Sequence, residues 1–141
     1  MSHADRILMG PGPGNPYPQV IKAFGRPVLG HLDPDFIALL DETNDRLREV
    51  FRTTNPLTFP VSATGSAGME ATIVNVLGPG DTVVIGVNGV FGERMCDVAS
   101  RCGATVVRVD AEWGRALDPQ DLLDAHPDPK VIAVVHAETS T

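Results

Sequence analysis

Leu57-Thr58-Phe59-Pro60-Val61-Ser62-Ala63-Thr64-Gly65-Ser66-Ala67-Gly68-Met69-Glu70-Ala71 passes from an extended apolar run, through small hydroxyl residues, into a helical run that continues to Leu77. A strand that turns in this way into a helix presents unpaired backbone N–H groups and the positive end of a helix dipole, a combination suited to a phosphate. From here the pattern alternates strictly. Residues 57–62 read as a strand and 66–77 as a helix closed by Gly78-Pro79-Gly80-Asp81. Residues 82–87 are a continuous apolar strand, and 90–101 a helix ending at Gly103 as its C-cap. Residues 104–109 are a strand, Asp118-Pro119 opens a helix to about His126, and 131–135 form a further strand. Strands buried on both faces, alternating with helices of this length, predict right-handed βαβ units and an α/β fold: a mostly parallel sheet flanked by helices.

Upstream the chain reads differently. Gly10-Pro11-Gly12-Pro13-Gly14-Asn15-Pro16 excludes a helix or a central strand. A short helix is predicted over 18–24. Asp33-Pro34 then reads as N-cap and first position of a helix ending near Arg52, with Phe36, Ile37, Leu40, Leu47, Val50 and Phe51 on one face. The expected division is an N-terminal arm with helices over 1–55 and an α/β region over 56–141.

Composition narrows the class of partner. The chain has 141 residues, 43% of them apolar, enough for one domain with a sizeable core. A net charge of -7, with nine arginines scattered singly, argues against nucleic acid. No run approaches membrane-spanning length and no secretory signal is visible. Cys96 and Cys102 match no metal spacing and are expected to be buried reduced thiols, which points to a cytoplasmic protein.

Ligands of open α/β sheets gather at the carboxyl ends of strands, which selects residues 63–68, 88–91 and 136–141. A dinucleotide fails the test. Ala63-x-Gly65-x-x-Gly68 lacks the first glycine of the fingerprint, and the next strand ends Gly86-Val87-Asn88, without the required carboxylate. No lysine follows the glycines, so a P-loop is excluded. A monophosphate suits the turn better: Thr64 and Ser66 offer hydroxyls, and Gly65 and Ser66 offer N–H groups. The other reading is a plain N-cap by Thr64 or Ser66. In the second loop Phe91, flanked by Gly89 and Gly92, either covers a flat ring or packs into the core at a helix start. In the third, His136-Ala137-Glu138-Thr139-Ser140-Thr141 either meets a ligand or caps a following helix. His31 reads as structural, Trp113 as a surface cover, and Asp118, Asp121 and Asp124 as a solvated helix face.

Taken in order, these segments resemble the class V pyridoxal-phosphate (PLP) aminotransferases, specifically the alanine/serine–glyoxylate branch. Leu8-Met9-Gly10-Pro11-Gly12-Pro13, Gly30-His31-Leu32-Asp33-Pro34-Asp35-Phe36, Asn55-Pro56-Leu57 with residues 62–71, Gly78-Pro79-Gly80-Asp81, Asn88-Gly89-Val90-Phe91-Gly92-Glu93-Arg94 and the 136–141 segment carry the resemblance. It implies the N-terminal part of the large PLP-binding domain of a fold-type I aminotransferase, incomplete here. It further implies PLP as cofactor, small amino acids and oxo acids as substrates, and a homodimer; charge and hydropathy add the expectation of no nucleic-acid and no membrane partner.

By position, Thr64, Gly65 and Ser66 resemble the grip on the cofactor phosphate, where relatives often carry histidine at the third place. Phe91 stands where the family stacks an aromatic, often Trp or Tyr, on the pyridine ring, and Thr139 where a hydroxyl nears the phenolic oxygen. Gly12 and Pro13 resemble the segment lining the substrate carboxylate.

The resemblance also requires a Schiff-base lysine, an acid for the pyridine nitrogen and a carboxylate-binding arginine, all expected beyond residue 141. Lys22 and Lys130 read as surface residues, so the chain alone is expected to be inactive and to be the front of a longer enzyme whose last strand leaves an open edge. The alternatives are a non-catalytic half-fold binding a phosphate or partner chain, an (S)-ureidoglycine–glyoxylate aminotransferase, or another class V PLP enzyme.

Overall fold

The computed structural model describes residues 6–141, which fall into two units, one ending at Ser62 and one running from Ala63 to Thr141.

The first unit carries two helices. Helix α1 spans Pro18–Phe24. Helix α2 spans Pro34–Phe51, with the Asp33 carboxylate accepting from the Asp35 amide and Pro34 at the first helical position, as the sequence predicts. Arg52, at φ 51°, ends it in the left-handed region. The apolar face expected on α2 is present, but it is not a core. Phe36, Leu40 and Leu47 are half-buried while Ile37, Val50 and Phe51 are exposed, and no described residue of this unit is buried. The strand expected over 57–62 does not form. Pro60 has no N–H to give a ladder, and no strand among the described residues pairs with this segment, so it stays extended and unpaired.

The second unit is a three-stranded parallel sheet in the order β2-β1-β3, flanked by helices. Helix α3 spans Gly65–Val76, β1 Thr82–Val87, α4 Val90–Arg101, β2 Thr105–Asp110, α5 Pro119–Asp124 and β3 Val131–Ala133. The apolar run of β1 lies in the centre because it alone is flanked on both sides. Thr82 to Val87 run in register with Thr105 to Asp110, and Val83 to Ile85 with Val131 to Ala133.

Its side chains divide by parity. Val83, Ile85 and Val87 face α3 and α4, joining Ile73, Leu77, Met95, Cys96, Val98 and Ala99 in one core. Gly86 points the other way, toward Leu117 and Leu122. The chain leaves β1 for β2 by way of α4, then returns across β1 to β3 by way of α5. Crossovers of one hand running in opposite directions put their helices on opposite faces. Leu122 is the single buried residue of α5.

Two elements are shorter than expected. Helix α5 stops at Asp124 rather than His126, and β3 ends at Ala133 rather than residue 135, since Val134 and Val135 find no ladder partner among the described residues. Helix α4 closes at Cys102, with Gly103 following at φ 79°. No described helix is long and apolar enough to cross a membrane.

Candidate functional site

Helix α3 begins where the phosphate turn was expected. Thr64 has extended φ and ψ, and its hydroxyl accepts from the Ala67 amide at 3.3 Å. The N-cap reading is therefore realised, yet the cap leaves donors over. The amides of Gly65 and Ser66 take no partner among the described residues, and the Thr64 hydroxyl accepts there, so its proton is free. The guanidinium of Arg94, from the first turns of α4, donates to Ser66 Oγ. Two amides, two hydroxyls and a guanidinium thus gather at one helix start, a donor set with the chemistry of an anion site.

Arg94 also reaches the second predicted loop. Its guanidinium carbon lies 5.6 Å from the centre of the Phe91 ring, a cation–π arrangement. Thr64, Gly65, Ser66 and Phe91 are therefore drawn together through a residue that no local pattern singled out. Phe91 itself is half-buried, neither a core residue nor a free one.

The third loop meets the second through Glu138. Its Oε2 accepts from the Phe91 amide at 3.1 Å and the Gly92 amide at 3.2 Å. Its Oε1 accepts from Ser140 Oγ at 2.6 Å and from the Ser140 amide at 3.3 Å. Ser140 Oγ in turn accepts from the Val90 amide at 2.9 Å. Burial pushes the Glu138 carboxyl upward, but the Ser140 hydroxyl and the amides of Gly92, Ser140 and Phe91 outweigh it, and the net shift is downward. Thr139, between these two anchors, is exposed, and its hydroxyl has no partner among the described residues. Asn88, at the carboxyl end of β1, donates to the Arg115 carbonyl at 2.8 Å while its buried Oδ1 accepts nothing among the described residues.

Gly12 and Pro13 belong to the first unit, where both are exposed. Lys130 sits at the amino end of β3 and pairs with Asp81 Oδ2 at 2.7 Å. Cys96 is buried and Cys102 half-buried, both free, and burial raises the Cys96 thiol.

The chain is 40% identical over 138 residues to the (S)-ureidoglycine–glyoxylate transaminase of Bacillus subtilis, covering 96% of this chain and 33% of that protein. It is 40% identical to the alanine–glyoxylate aminotransferase of Drosophila melanogaster, with 35% of that protein covered. Among solved structures, the alanine–glyoxylate aminotransferase of Nostoc sp. superposes with a TM-score of 0.87 at 48% identity, over 98% of this chain and 37% of that one. The ureidoglycine–glyoxylate aminotransferase of Bacillus subtilis does so with the same TM-score at 37% identity. No family model matches. The homologues of this chain are glyoxylate aminotransferases, and it is similar to an N-terminal portion of them. It spans about a third of the length of the curated relatives it matches.

Proposed function

We propose that the intact protein bearing this chain is a PLP-dependent transaminase that moves the amino group of a small amino acid, alanine or serine, onto glyoxylate. The observation that carries this reading is the meeting of the α3 start, Arg94 and Phe91 at one end of the second unit. In it the amides of Gly65 and Ser66, the Thr64 hydroxyl and the Arg94 guanidinium hold the cofactor's phosphate, and Phe91 lies against its ring. Thr139 would offer a hydroxyl toward the phenolic oxygen, the role its position in the resemblance implies. PLP supplies the electron sink that makes the amino-bearing carbon acidic. The chain's own part is to bind and orient it. The donor set fits a phosphate because it contains no carboxylate, and its two free amides are already aimed outward from a helix start.

Covalent attachment of the cofactor needs a lysine at the carboxyl side of the sheet. Lys130 lies at the opposite end of β3 and is held by Asp81. We assign that lysine, as the family resemblance implies, to a part of the intact protein outside these residues. A homodimer is expected by the same reading, and a cytoplasmic location accords with two free thiols.

The donor has a second candidate, (S)-ureidoglycine, favoured by the 40% identity to the Bacillus transaminase. Purified intact protein loaded with PLP separates them: alanine, serine and ureidoglycine are each offered with glyoxylate, and glycine formation is followed. Glycine production from one of them is expected. No glycine from any donor, and no cofactor absorbance after dialysis, would sink the reading.

A further inference from the structure

We infer that Glu138 is a positioning residue: its carboxylate welds the loop after β3 to the first turn of α4 and so sets where the Phe91 ring stands. The inference rests on the proposed role of Phe91 against the cofactor ring.

A helix start leaves its first amides without intrahelical partners, and a local Ser, Thr, Asp or Asn side chain ordinarily serves them. Helix α4 has no such residue, because its N-cap is Gly89 and no side chain of its own caps it. The amides of Val90, Phe91 and Gly92 are instead served by Ser140 and Glu138, from 46 to 50 residues further along the chain. Glycine at 89 is what admits this remote cap. A Cβ there would lie 2.4 Å from both Cδ and Cγ of Glu138 and 2.6 Å from Ser140 Oγ.

The exchange has a mechanical consequence. A local cap would order α4 alone, whereas the remote one makes the Phe91 loop and the Thr139 loop a single body. An anion at this helix start is also favoured by the helix dipole. Glu138 itself is turned into its hydrogen bonds with the two loops, so it acts on a ligand through Phe91.

The test uses intact protein in four forms: wild type, Glu138→Ala, Gly89→Ala and the double variant, with Glu138→Gln beside them. PLP affinity is measured by fluorescence titration, ring orientation by the visible circular dichroism of bound PLP, and the amides of residues 90–92 by hydrogen exchange without cofactor. Each single variant is expected to weaken PLP binding roughly tenfold, because the Phe91 ring loses its fixed place. Each should also alter the visible dichroism and speed exchange at 90–92. The double variant is expected to be no worse than the poorer single, since both act on the same remote cap. Glu138→Gln keeps the shape and one acceptor oxygen, so it falls between, and it carries the comparison if the alanine variant does not fold. Variants that melt earlier yet bind PLP with wild-type affinity and dichroism overturn the positioning role alone. A wild-type protein that takes up no PLP overturns the functional reading, and the positioning role with it.

Discussion

The guanidinium of Arg94 stands 5.6 Å from the centre of the Phe91 ring. The same group donates to Ser66, so one side chain spans the α3 start and the aromatic that follows β1. Arg94→Met is expected to weaken PLP binding about tenfold, through lost phosphate charge and lost contact with the ring. Arg94→Lys should fall between, because an ammonium keeps the charge without the planar fork. Equilibrium titration with PLP and with pyridoxal separates the two effects: the loss should be large for PLP and small for pyridoxal.

Thr64 is both a helix cap and a proposed phosphate ligand, and the two roles respond differently to substitution. Thr64→Ala should cost about 1 kcal/mol of stability from the lost cap. Thr64→Asn should restore the melting temperature, since Asn caps well, but should not restore PLP affinity. Recovery of both would leave Thr64 as a cap only.

Asp81 accepts from Lys130 Nζ at 2.7 Å and from the Gly78 amide at 2.8 Å. Lys130 first, then the Gly78 amide, pull its carboxyl below the ordinary value. A group depressed in the folded state stabilises above its unfolded pKa, and that contribution is lost as pH falls through the folded pKa. Denaturant midpoints should therefore drop on acidification in the wild type, and drop less in Lys130→Met. Equal slopes would show that the pair is screened away by solvent.

Leu122, the one buried residue of the six-residue α5, packs it against the second face of the sheet. Leu122→Ala should cost about 2–5 kcal/mol, with hydrogen exchange rising first in α5 and later in β1. Uniform acceleration across the unit would mean that α5 does not open by itself.

Local chemistry made much of the fold legible. Asp33-Pro34 and Asp118-Pro119 announce helix starts, and both carboxylates cap as expected. The unbroken run of β1 announces a strand covered on both faces. The segment 57–62 misleads because apolar, extended residues promise a strand only if a neighbour pairs with them. Residues 134–135 mislead for the same reason. At the site, the turn at 64–66 and Phe91 are visible because their residue types and neighbours are adjacent in sequence. Arg94 and Glu138 are not visible, because their partners lie 28 and 46–47 residues away. The signal that could have found Glu138 is negative: a helix opening on Gly89 without a capping side chain needs its cap from elsewhere.

A crystal structure of the intact protein grown with PLP bears most directly on what the α3 start holds. The phosphate should lie within hydrogen-bond distance of the Gly65 and Ser66 amides, with the ring against Phe91. A phosphate bound elsewhere, with those two amides facing only water, would contradict it.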